Sequence, residues 1–157
     1  MITQLHQATF DELDAATLYA ILRLRTDVFV VEQRCPYPEL DGRDLEPGTR
    51  HLWLAPPERP REPLAYLRVL AEADGAARIG RVCVAPAGRG AGLAGDLMAE
   101  ALRLIGEGTT AVLDAQTYLV EFYRRLGFVE SGPEFVEDGI PHLPMTRPDG
   151  GPRATPR

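Results

Sequence analysis

The run Val82-Cys83-Val84-Ala85-Pro86-Ala87-Gly88-Arg89-Gly90-Ala91-Gly92-Leu93-Ala94 constrains this chain more than any other stretch. A short apolar strand enters, a turn of small residues follows, and an apolar-periodic helix leaves. Glycines let backbone N–H groups converge in such a turn without obstruction by Cβ atoms. The first helical turn adds N–H groups without intrahelical acceptors and the positive end of the helix dipole. Together they form an anion site sized for a pyrophosphate, and Arg89 can set a permanent charge beside it. No Gly-Lys-Ser/Thr follows, and G-x-G-x-x-G is not completed, so ATP and NAD are the poorer readings. On glycine content alone, a tight strand-to-helix connection explains the run equally well.

At 157 residues the chain suits one domain with a real core and an internal cleft. Its 45% hydrophobic and 25% charged content is that of an ordinary soluble protein. The net charge of −6 argues against a nucleic-acid partner, which would call for a basic face, and is compatible with an amine substrate. Cys35 and Cys83 form no disulfide framework, and the three histidines have no zinc-ligand spacing. No signal peptide and no membrane-spanning run is visible, so a cytoplasmic location is expected.

Ile2 to Ala8 reads as a first strand. Asp14 is a helix N-cap, with Leu18, Ile21, Leu22, Val28 and Phe29 at helical spacing; Pro36 and Pro38 end that helix near Val31. Pro36 to Gly48 is an acidic loop and a candidate substrate-side element. His51–Leu54, Leu64–Leu70 and Arg78–Val84 form a strand meander, with a hairpin signal at Asp74-Gly75. Leu93, Leu97, Ala101, Leu104 and Ile105 mark one helix face, and Ala111–Gln116 a short buried strand. Tyr118–Leu126 is a short helix capped by Gly127. Phe128–Ser131 and Ile140–Thr146 close the sheet, with Pro141 and Pro144 expected to confine the last strand to an edge. The order predicts an α/β fold: a mixed, mostly antiparallel central sheet flanked by helices, not a Rossmann repeat. Residues 1–147 form the expected domain, and Pro148 to Arg157 read as a disordered tail.

Arg89-Gly90-Ala91-Gly92-Leu93-Ala94 resembles the R/Q-x-x-G-x-G/A signature of the GNAT N-acetyltransferases. The resemblance covers nearly the whole chain and is closest to the ElaA-like branch. Leu22 to Gln33 is similar to that branch's first helix, and Cys35-Pro36-Tyr37, Asp41 to Asp44 and Arg50-His51 to the loop and strand that follow. Ala115-Gln116, Phe122-Tyr123, Leu126-Gly127-Phe128 and Glu137 to His142 are similar to the later segments. The resemblance implies acetyl-CoA as co-substrate. Its pyrophosphate would lie on the amides of Arg89, Gly90, Ala91, Gly92, Leu93 and Ala94, and its pantetheine arm along Val82, Cys83 and Val84, where the strand splays from its neighbour. Gln116 and Phe122 fall on the coenzyme side by position, although helix capping would also explain Gln116.

Acetyl transfer to an amine requires a held thioester, a deprotonated amine and a stabilised thiolate. An alkylamine with a pKa near ~10.4 needs a base, direct or through water. The resemblance implies that Tyr123 is the general acid at the sulfur, where packing beside Phe122 would be the plain alternative. A backbone N–H within Val82 to Val84 is the expected partner of the thioester oxygen. Cys83 and Cys35 read as small buried hydrophobes, not nucleophiles. Candidates for the base are Glu32, His51 and His142, with Glu32 and His51 also counted on the substrate side; a solvated or capping carboxylate explains Glu32 equally well, and a structural hydrogen bond His142. His51 has a second reading, as a tether for the acidic loop. Arg25 is a further substrate-side candidate, yet a guanidinium on an apolar helix face calls for a carboxylate partner and favours a structural ion pair. Asp41 and Asp44 are candidates to attract a cation, although a solvated loop is their ordinary reading.

Two other classes compete with the acetyltransferase reading: a non-catalytic acyl-CoA sensor, and a nucleotide binder using the same turn. The acceptor, a small amine or a peptide amine, is not readable. Nor is the oligomeric state, although an edge strand near Ile140 would offer a route to a homodimer.

Overall fold

The computed structural model describes residues 1–148. The tail expected from Pro148 onward therefore lies, apart from Pro148 itself, outside the described residues.

Eight strands form one sheet: β1 (Gln4–Ala8), β2 (Arg50–Ala55), β3 (Ala65–Ala71), β4 (Ala77–Val84), β5 (Ala111–Gln116), β6 (Val129–Glu130), β7 (Phe135–Glu137) and β8 (Ile140–Arg147). Their order is β1-β2-β3-β4-β5-β8-β6, with β7 also paired to β8. All pairings are antiparallel except β4–β5. This is the mixed, mostly antiparallel sheet that the element order predicts.

Alternation along the strands sends side chains to two cores. On one face Leu52, Leu67, Val69 and Ile79 meet α2 (Leu93–Ile105) and α3 (Val120–Arg125). Leu97, Met98 and Ala101 of α2 are fully buried there, each of the two larger side chains worth about 1.5–3 kcal/mol. On the other face Trp53, Tyr66 and Cys83 meet α1 (Ala15–Arg25) through Ile21 and Leu24. The Asp14 side chain caps α1 by accepting from the Thr17 amide at 2.7 Å. Beyond Arg25 the helix widens into a π-helical segment, Thr26–Glu32, one residue past the expected stop at Val31. No helix among the described residues is long and apolar enough to cross a membrane.

One expectation fails. β8 is not an edge strand: it lies between β5 on one side and β6 and β7 on the other. Pro144 is tolerated because of its position. Its carbonyl accepts from the Ser131 amide at 2.9 Å, on the side away from β5. In an antiparallel pair a residue's N and O point to the same neighbour, so the missing N–H of Pro144 faces the gap between β6 and β7 and takes nothing from the β5 ladder. A dimer through a free edge at Ile140 loses its basis accordingly.

Candidate active site

The site begins where the sheet opens. β4 and β5 pair only at Ala77↔Ala111 and Arg78↔Val112, after which the two strands diverge. The β5-facing groups of β4 beyond the Ile79 amide are thus left without a strand partner. A β-bulge sets the opening: Tyr66 pairs with Cys83 and Arg68 with Gly80, so two residues of β4 oppose Leu67 alone. Arg81 takes a left-handed φ of 55° there. A cavity of about 990 Å³ occupies the opening, bordered by Val82, Val84, Gln116, Phe122 and Tyr123.

At one end of the cavity lies the loop into α2. Gly90 and Gly92 hold φ values of 83° and 75°, which L side chains adopt only with strain. The Asp96 amide closes the first helical turn onto the Gly92 carbonyl at 3.1 Å, leaving the amides of Leu93, Ala94 and Gly95 without a helical acceptor. Arg89 and Ala94 border the cavity; Gly90, Ala91 and Gly92 are exposed at its outer end. The Leu93 side chain is buried against α2's core, so only its backbone can serve a ligand. These amides and the free edge of β4 fit a pyrophosphate followed by an extended amide-bearing arm.

Tyr123 is nearly buried at 6% exposure, edge-on to Phe122 and Phe128. Its hydroxyl makes no hydrogen bond among the described residues. Burial, helped by Tyr118 nearby, pushes its pKa up to about 12, so the phenol stays protonated at neutral pH. Burial likewise pushes the Cys83 thiol up to about 12, which removes it as a thiolate nucleophile. Cys35 is buried too, and its thiol contacts the Asp138 carbonyl at 3.4 Å.

Glu32 and Gln33 reach both walls of the opening. Glu32 accepts both Arg89 terminal nitrogens, at 2.7 and 2.6 Å, while Gln33 lies 3.5 Å from Gln116. Arg89 also donates from Nε to the Val84 carbonyl at 3.1 Å. The Arg89 hydrogen bonds lower the Glu32 pKa, and a carboxylate so held is a poor base. His142 borders the cavity, stacked on Phe135. Its Nδ1 lies 2.8 Å from the Ile140 carbonyl, which can only accept, so Nδ1 carries a hydrogen, and in the neutral ring the lone pair falls on Nε2.

Two substrate-side expectations are corrected. Arg25 is fully buried and does not border the cavity; it donates to Glu39 at 2.6 Å and Asp44 at 2.7 Å. His51 is also fully buried, Nε2 donating to the Asp44 carbonyl (3.1 Å) and Nδ1 accepting from the Tyr66 hydroxyl (2.7 Å). Burial lowers its pKa. With both nitrogens committed it tethers the loop and is no base. Asp41 and Asp44 are not free to attract a cation either: Arg68 holds both, and Arg81 and Arg25 reach one each. Burial raises the carboxyl pKa values of this pair, but the arginine hydrogen bonds more than reverse it and both stay ionised.

Sequence reasoning missed Arg68, Arg78, Arg81 and Asp114, which also border the cavity. The signal for Arg68 was available: a charged residue midway along Ala65-Tyr66-Leu67-Arg68-Val69-Leu70, a strand otherwise apolar. The bulge had none, because its left-handed residue is an arginine and not a glycine.

A mixed sheet splayed around a cavity, with a glycine-rich loop feeding a helix at its mouth, defines an acyl-CoA N-acyltransferase fold. Residues 42–147 match the model of the acetyltransferase (GNAT) domain, and the chain belongs to that family. It is 47% identical over 154 residues to a UPF0039 protein of Mycobacterium tuberculosis, covering 96% of this chain and 97% of the relative. The crystal structure of an acyl-CoA N-acyltransferase from Pseudomonas aeruginosa superposes with a TM-score of 0.87 at 41% identity, covering 94% of this chain and all of that one. That of Escherichia coli ElaA gives 0.86 at 36%, with the same coverage. The ElaA resemblance thus holds in sequence and in fold.

Proposed function

We propose that the protein transfers an acetyl group from acetyl-CoA to a primary amine in one direct step, with Tyr123 as general acid and His142 as base. One observation carries the reading. A protonated, buried phenol without a hydrogen-bond partner among the described residues borders the same cavity as the strand edge that β4 leaves open. Acetyl-CoA supplies an electrophilic thioester carbonyl. The amides at the start of α2 hold its pyrophosphate, and an amide within Val82 to Val84 donates to the carbonyl oxygen. The amine nitrogen bonds to the acyl carbon as the carbon–sulfur bond breaks. His142 Nε2 takes the proton the amine sheds, directly or through water, and the Tyr123 hydroxyl gives its proton to the departing sulfur. A cytoplasmic setting belongs to the same reading and suits two cysteines that are free thiols.

Tyr123→Phe removes the proton and little of the packing. The variant is expected to keep its stabilisation by acetyl-CoA while its rate of thiol release falls by about 10²-fold or more. A rate within about threefold of the parent would remove Tyr123 from the chemistry. Thiol release by neither protein, with acetyl-CoA bound by both, would instead mark a binding module.

A further inference from the structure

The acetyl-CoA half of the cavity does not account for its other half, floored by β3 and β4 beyond the bulge. Arg68, Leu70, Arg78 and Gly80 share that face, because Arg68 pairs with Gly80 and Leu70 with Arg78. Gly80 has no left-handed φ, and a Cβ built on it would meet nothing within 4 Å. Neither backbone conformation nor crowding therefore demands a glycine. Its lack of a side chain leaves a hollow in the cavity floor, one residue before the bulge.

Two guanidinium groups flank that hollow. Arg68 is 3% exposed and directs its terminal nitrogens to Asp41 and Asp44. Its Nε–H is buried and has no acceptor among the described residues. A buried donor without an acceptor is costly and rare, and the arginine that carries it borders the cavity. Arg78, partly exposed, places Nε on Glu72 at 2.6 Å and reaches Asp114 only at 3.3 Å. Asp41 and Asp114 border the same cavity, yet neither supplies an acceptor to the Arg68 Nε, and that donor calls for one more oxygen such as a carboxylate brings. A polyamine or an aminoglycoside would bring more cations and more donors to two arginines.

We infer that the acyl acceptor is an amine that carries a carboxylate, and that the carboxylate docks in the hollow over Gly80 between Arg68 and Arg78. Anchored there, the acceptor's far end runs along β4 past the bulge, toward the opening that Tyr123 borders. The inference rests on the acyltransferase reading and narrows it to a substrate class.

The test measures thiol release from acetyl-CoA with the common amino acids, each beside its decarboxylated amine, and with lysine-ended peptides as acid and as amide. Spermidine and kanamycin complete the set. The free-carboxylate member of at least one pair is expected to exceed its partner by about tenfold or more in kcat/KM. Gly80→Val should raise the KM for that acceptor by a similar factor, with the dissociation constant of acetyl-CoA unchanged. Arg78→Gln, at a partly exposed site, should do the same if the valine variant fails to fold. Spermidine, kanamycin or the decarboxylated amines matching every carboxylate compound would overturn the inference and leave acetyl transfer standing. No transfer to any compound, with acetyl-CoA bound, would overturn both.

Discussion

Arginine side chains do most of the positioning in this protein, and they do it by being buried. Arg25 sits one turn beyond Ile21 on the stripe that α1 turns to the sheet, where a leucine would pack. Burying the cation is tolerable because Glu39 and Asp44 come to it, and through them the acidic loop is fixed over β3 and β4. Arg68 and Arg81 hold the same loop from the sheet side. Arg25→Met should therefore cost about 3 kcal/mol, since it leaves two buried carboxylates short of a partner. That figure is at the low end because Arg68 and Arg81 keep part of the hold. In thermal unfolding it corresponds to a loss of roughly 6–12 °C. A change of less than about 2 °C would mean that the loop does not depend on the buried ion pairs.

At the scale of elements, the loop into α2 makes a sharp contrast between two glycines three residues apart. Gly92 holds φ 75° with open space around it, so any side chain there is strained by conformation alone. Gly95 lies inside the helix, and a Cβ would only touch Phe122 at 4.0 Å. Gly92→Val should destabilise by about 1–2 kcal/mol and weaken acetyl-CoA binding, whereas Gly95→Ala should stabilise by about 0.5–1 kcal/mol. Denaturant unfolding of the two variants side by side checks the contrast; equal effects would contradict it. The same elements show what the sequence could and could not tell. The strand–loop–helix was legible because glycine spacing and helical periodicity are local signals. So was the burial of Arg25, from its place on an apolar face. The bulge at Arg81 was not, since nothing in residue type marks an arginine as left-handed. Pro141 and Pro144 misled for a related reason: a proline forbids a hydrogen bond, but only the ladder decides which neighbour would have received it. Asp41 and Asp44 read as solvated loop carboxylates or a cation site because their arginine partners come from β3, β4 and α1, distant in sequence.

The whole molecule is a sheet of two halves joined by two residue pairs between β4 and β5, with Glu32 and Gln33 strapped across the opening beyond them. A ligand lying between β4 and β5 should bind both halves together and stabilise the molecule as a unit. The central claim is that this ligand is acetyl-CoA. The most direct measurement is thermal unfolding with saturating acetyl-CoA, and in parallel with ATP and NAD. Ligand at about 100 times its dissociation constant stabilises by about 2.7 kcal/mol, roughly 5–10 °C for a chain of this size. The predicted result is a shift of that order with acetyl-CoA alone; no shift with acetyl-CoA, but one with ATP or NAD, would contradict the account.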